Sequence, residues 1–163
     1  MKRMSSAIIL IAGVYSGWVF LKPYIADIHF NRALCSGTTR LGGCPDSADN
    51  SQFYSVMFEE FQRAIELNPH EEFYFVKLGE MNEKILFATK DKIWAEKAIE
   101  SYSHALFLNP QRPYNYENLG RVFYVCGRLK ESVLMYKKAL ELGLSIEFVP
   151  VEIQKLISED LKR

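Results

Sequence analysis

The chain has 163 residues, enough for one domain with appendages. Twenty Lys and Arg balance twenty Asp and Glu, so no bulk electrostatic case exists for binding nucleic acid. Aromatic residues make up 13% of the chain, no run alternates with a period of two, and Gly and Pro fall at expected helix junctions, all of which points to an all-α core.

The amino end opens with the basic Lys2 and Arg3, and Ala7–Leu21 then carries no charge. At ~1.5 Å per residue that run spans about 22 Å, against a hydrocarbon core of roughly 30 Å. Adding Met4, Ser5 and Ser6 lengthens the uncharged run to 18 residues. Trp18 and Tyr24 suit a membrane interface, and Lys22 can snorkel. A cleaved signal peptide shares the basic start and apolar middle, but no A-x-A follows the run. The expectation is therefore an uncleaved anchor over 1–22, with the amino end cytoplasmic and the rest extracytoplasmic. Gly13 and Gly17 form a G-x-x-x-G spacing that permits close helix approach.

Residues 23–52 read as one helix followed by a cysteine loop. Ile25, Ile28, Ala33 and the stem of Arg32 fit one helical face. Cys35 and Cys44 flank the turn-rich SGTTRLGG. One reading is a structural disulfide in an oxidising compartment, adding roughly 2–3 kcal/mol by constraining the unfolded chain; the other is two unpaired thiols. His29 alone does not complete a metal-ligand set with them.

From residue 53 to 149 the chain repeats itself. Leu67-Asn68-Pro69 recurs as Leu108-Asn109-Pro110, an offset of 41. At that offset Phe61 maps to Tyr102, Ala64 to Ala105, Phe75 to Tyr116, Leu78 to Leu119 and Gly79 to Gly120. Tyr102 to Tyr136, and Ala105 to Ala139, are 34 apart. In the last unit Tyr116, Leu119, Gly120 and Phe123 form one helical face. Gly127 and Arg128 interrupt it, and Ser132, Tyr136 and Ala139 resume it. The small residues Gly120 and Ala139 allow close approach and the aromatics fill the space around them.

This pattern resembles the tetratricopeptide repeat, a 34-residue helix-turn-helix unit. Tyr116-x2-Leu119-Gly120-x2-Phe123, then Ser132-x3-Tyr136-x2-Ala139, agrees at seven positions, with Leu144 where the family has proline. The middle repeat is seven residues longer than the family unit, and the segment from Glu83 to Lys92 is expected to absorb them by lengthening both helices. Asn82 stands there in place of the usual aromatic. Residues 23–34 and Gln52–Leu67 would form a degenerate opening repeat, with Met57, Phe61 and Ala64 on its second helix. An apolar helix, then PYIADIHFNRA, then such repeats also resembles the tail of bacterial O-antigen ligase or polymerase-type membrane proteins.

Gly143 is expected to end the last repeat helix. Residues 150–163 form a final helix with Ile153, Leu156, Ile157 and Leu161 on one face. It reads as a capping helix of the array, the alternative being a free partner-binding helix. Cys126 reads as a small buried filler inside the preceding first helix.

No catalytic constellation is legible. His29, His70 and His104 sit in separate segments, and Glu59-Glu60 and Glu71-Glu72 read as solvated helix ends. The expectation is a non-enzyme without cofactor, metal or small-molecule substrate. The family resemblance implies instead a concave groove lined by the first helix of each repeat. By position, that places Phe73, Val76, Lys77 and Glu80 in the middle repeat, and Tyr114, Glu117, Arg121 and Tyr124 in the last. A mixed aromatic and charged lining suits an extended peptide or a partner helix. The expected protein is thus a single-pass, extracytoplasmic tetratricopeptide scaffold, an accessory subunit of a membrane complex. The alternatives are an accessory in cell-surface polysaccharide assembly and a cytosol-facing receptor at an organelle membrane.

Overall fold

A computed structural model describes residues 18–33 and 51–160. Those residues are helical and contain no strand. They fall into two compact units, within Met1–His70 and Glu71–Arg163, each described by itself.

The first unit is a pair of helices, α1 (residues 18–33) and α2 (Ser51–Leu67). Ala26, Phe30 and Ala33 of α1 are buried, as are Phe61 and Ala64 of α2. The Phe30 and Phe61 rings meet with centroids 5.8 Å apart and planes tilted by 57°. The buried face of α1 is therefore rotated from the expected one, and Ile28 and Arg32 are exposed. Two alanines win the inner face because they allow the closest backbone approach.

The expected membrane localisation is corrected here. Among the described residues no helix is long and apolar enough to cross a membrane. Residues 18–22 of the expected anchor belong to α1, whose Lys22, Asp27 and Arg32 interrupt its apolar positions. Residues 1–17, with Gly13 and Gly17, lie outside the described residues. So do Cys35 and Cys44.

The second unit is two helical hairpins and a terminal helix. Hairpin one pairs α3 (Glu72–Thr89) with α4 (Lys92–Leu108). Hairpin two pairs α5 (Pro113–Val125) with α6 (Leu129–Glu141), and α7 (Val151–Asp160) follows a short 3-10 turn, Ile146–Phe148. Helices α3 and α4 run 18 and 17 residues, α5 and α6 only 13 each. The extra length of the middle repeat thus lies on both sides of its turn.

Each hairpin is closed by a tyrosine of its second helix lying across a glycine of its first. A Cβ on Gly79 would stand 2.5 Å from Tyr102 Cε1, and one on Gly120 2.9 Å from Tyr136 Cδ2. Only hydrogen fits there. Both rings are buried, as are Ala98, Ala105 and Ala139 beside them. Asn82 fills its aromatic-type position while buried, donating from Nδ2 to Ser101 Oγ at 3.3 Å.

The helix ends are set by local chemistry. Asp91 caps α4 by accepting from the Ile93 N–H at 3.0 Å. The α5 end carries paired bonds, from Arg128 N–H to Phe123 O at 2.9 Å and from Gly127 N–H to Tyr124 O at 3.0 Å. Leu144 N–H to Ala139 O and Gly143 N–H to Leu140 O repeat that arrangement after α6. Gly127 and Gly143 take the positive φ this requires, 74° and 97°. Cys126 therefore falls just beyond α5 and is exposed, not a buried filler within it. Leu144, at the family's proline position, is buried with Tyr136, Ala139 and Val149. Ile153 and Ile157 of α7 join that same cluster.

Candidate protein-binding face

The outer face of α3 carries Phe73, Lys77 and Glu80 one turn apart. Phe73 and the α5 residue Tyr114 are exposed aromatics, 37% and 48% accessible. The Lys77 ammonium lies 5.1 Å from the Phe73 ring centroid and donates to Glu80 Oε2 at 2.8 Å. This arrangement holds a flexible cation over an aromatic face. Val76 is buried in the core of the hairpins; it supports this face from beneath rather than lining it.

On α5 the guanidinium of Arg121 organises the remaining groups. Its Nη1 donates to Glu117 Oε1 at 2.9 Å, and Nη2 to Asn118 Oδ1 at 3.1 Å. Its principal partner is Glu83 of α3. Arg121 Nε donates to Glu83 Oε1 at 2.7 Å, and Nη2 to Glu83 Oε2 at 2.8 Å. This two-pronged geometry is the strong form of the ion pair. The Tyr102 hydroxyl of α4 donates to the same Glu83 Oε2 at 2.9 Å. One carboxylate thus joins three helices and both hairpins. Its side chain is 7% exposed and that of Arg121 36%.

The electrostatics follow from this burial. Burial, reinforced by the Glu83 charge, pushes the Tyr102 phenol far above its ordinary range. Arg121 is held more firmly protonated by its bond to Glu83. Glu117 is raised chiefly by burial, with Arg121 pulling the other way. Tyr124 reaches across to α7, donating to Glu152 Oε2 at 3.2 Å.

Sequence reasoning missed Glu83. Its only sequence signal is its place one turn beyond Gly79, where the hydroxyl of a tyrosine crossing that glycine can reach. A second inter-hairpin staple was also missed. Glu72, at the start of α3, accepts from Asn109 Nδ2 at 2.8 Å and Arg112 Nη1 at 3.3 Å. The histidines lie apart. His29 pairs with Glu60, and His104 stacks on Phe75 at 5.2 Å. Among the described residues no group of three or more His, Cys, Asp or Glu side chains is placed to hold a metal ion.

Paired antiparallel helices, repeated and closed by a glycine–tyrosine crossing, make a helical-repeat architecture. No family model matches the chain. It is 32% identical over 106 residues to the TPR repeat-containing protein MJ1428 of Methanocaldococcus jannaschii, an alignment taking in 59% of this chain and 18% of that protein. This likeness supports a tetratricopeptide-repeat family. The chain spans less than a fifth of that relative's length. The resemblance to O-antigen ligase-type proteins finds no support in it.

Proposed function

We propose that the chain is a non-catalytic interaction module that holds a partner protein in an assembly, using the first-helix face of its two hairpins. The observation that carries this reading is the pairing of exposed aromatics, Phe73 and Tyr114, with charged groups already fixed by neighbours. Lys77 is held by Glu80, and Arg121 by Glu83 and Glu117. Side chains fixed before binding lose little entropy on binding, and aromatic residues supply most of the energy in such contacts. An extended peptide or amphipathic helix of the partner would lie along this face.

Photo-crosslinking tests the reading. A benzophenone amino acid is placed at Phe73, at Tyr114, or at the 83%-exposed Phe107 on the second helix of hairpin one. The expected result is one protein captured from positions 73 and 114 but not 107. Tyr114→Ala should then weaken its binding about tenfold or more. Equal capture from all three positions, or binding indifferent to both aromatics, would overturn the assignment of this face.

A further inference from the structure

The packing of α6 leaves a second face outward. Ser132, Tyr136 and Ala139 turn inward, whereas Lys130, Leu134 and Lys137 lie on the opposite side, and Val133, between the two faces, packs with Leu156 against the edge of the core cluster. This stripe and α7 border an open groove of about 500 Å³. Val133, Leu134 and Leu156 contribute its apolar surface, and Leu134 is 61% exposed. Its flanks carry opposite charges: Lys130 and Lys137 on α6, Glu159 and Asp160 on α7. Lys137 pairs with Asp160 across the groove. Lys130 and Glu159 make no salt bridge among the described residues.

We infer that this groove is the self-association surface of the chain, occupied by the α6–α7 edge of a second copy. Two arguments select that occupant. First, a two-fold interface brings the same patch of both copies together, so the patch must complement itself. A basic flank beside an acidic flank does so about a two-fold axis running along the groove, which exchanges the flanks and sets Lys130 of each copy towards Glu159 of the other. Secondly, the chain's Lys and Arg equal its Asp and Glu in number, so no net charge repels the two copies. The groove is bordered by α6 and α7, whereas the proposed partner site is centred on Phe73 of α3 and Tyr114 of α5.

The test is sedimentation equilibrium of the purified full chain across a range of concentrations. The expected result is a reversible monomer–dimer equilibrium. Leu134→Glu should raise the dimer dissociation constant about tenfold or more, with helicity by circular dichroism unchanged. Lys130→Glu and Glu159→Lys, each alone, should dissociate too, because each places like charges at both junctions. An equimolar mixture of these two variants should dimerise again, because both junctions then pair opposite charges. A chain monomeric at every concentration would overturn the inference. So would an oligomer indifferent to Leu134→Glu, or single charge variants that the mixture fails to restore.

Discussion

Removing either partner of the Glu83–Arg121 pair should have unequal consequences, because the two side chains are unequally buried. At an effective dielectric near 20, opposite charges about 4 Å apart attract by roughly 4 kcal/mol. Glu83 has little access to compensating water, being 7% exposed, whereas Arg121 is 36% exposed and keeps Glu117 and Asn118. Arg121→Met preserves the apolar stem but leaves a buried carboxylate with only the Tyr102 hydroxyl. It should cost about 3 kcal/mol or more. Glu83→Gln preserves shape and leaves a cation that can turn to solvent. It should cost about 1–2 kcal/mol. The double variant removes the stranded charge and should therefore be more stable than Arg121→Met alone.

Urea denaturation followed by far-ultraviolet circular dichroism reads all three differences. With a slope of about 2 kcal/mol per M, Arg121→Met should lower the midpoint by about 1.5 M. If Glu83→Gln deepens the loss in the Arg121→Met background, Glu83 carries no buried-charge penalty and the reasoning fails. Equal costs for the two single variants would refute it as well.

Three further outcomes follow from local geometry. Gly79→Ala gains about 1 kcal/mol in helix propensity but drives a methyl into the Tyr102 ring at 2.5 Å. Overpacking of this kind costs about 1–3 kcal/mol, so thermal denaturation should show a net loss, larger than for Gly120→Ala, whose nearest ring atom is 2.9 Å away. Lys90 holds a φ of 60° in the turn between α3 and α4, and Lys90→Gly should stabilise by about 0.5–1 kcal/mol, read as a raised urea midpoint. Burial, with Glu117 adding to it, pushes the Tyr136 phenol up to about 12 from 10.0. A folded value above the unfolded one makes stability fall as pH rises through that interval; denaturation midpoints measured across it should fall less steeply in Tyr136→Phe.

The hairpins were legible because their closing contacts are written as residue types at fixed spacing. Gly79 meets Tyr102 and Gly120 meets Tyr136, and any sequence placing Gly and an aromatic at those positions announces the crossing. The extra length of the middle repeat was legible for the same reason, since both ends of the hairpin kept their markers. Other features were hidden because spacing does not encode them. Ala26 and Ala33, with Phe30 between them, occupy the inner face of α1 instead of Ile28, because close backbone approach at the alanines outweighs side-chain size there. Glu83 reads as one more surface carboxylate until three helices converge on it. Cys126 looked interior because the helical period runs through it, but Gly127 ends the helix a residue earlier. The membrane expectation rested on an uncharged run, its basic start and its interfacial aromatics, none of which registers that residues 18–22 continue into a charged, packed helix.

Two of the three carboxylates of α3 also bear on how the proposed binding face works. Glu72 near its start reaches Asn109 and Arg112, and Glu83 further along reaches Arg121. Helix α3 is therefore tied at two places, about three turns apart, to residues beyond its own hairpin. In a repeat array, stability divides between each unit and its interfaces with neighbours. Here the interface includes a buried, geometrically exacting polar pair, which tolerates slippage far less than apolar packing does. The relative position of Phe73 and Tyr114, one on each hairpin, is fixed by the same ties. A partner meeting both aromatics would find their spacing already set, so little binding energy would go into arranging them.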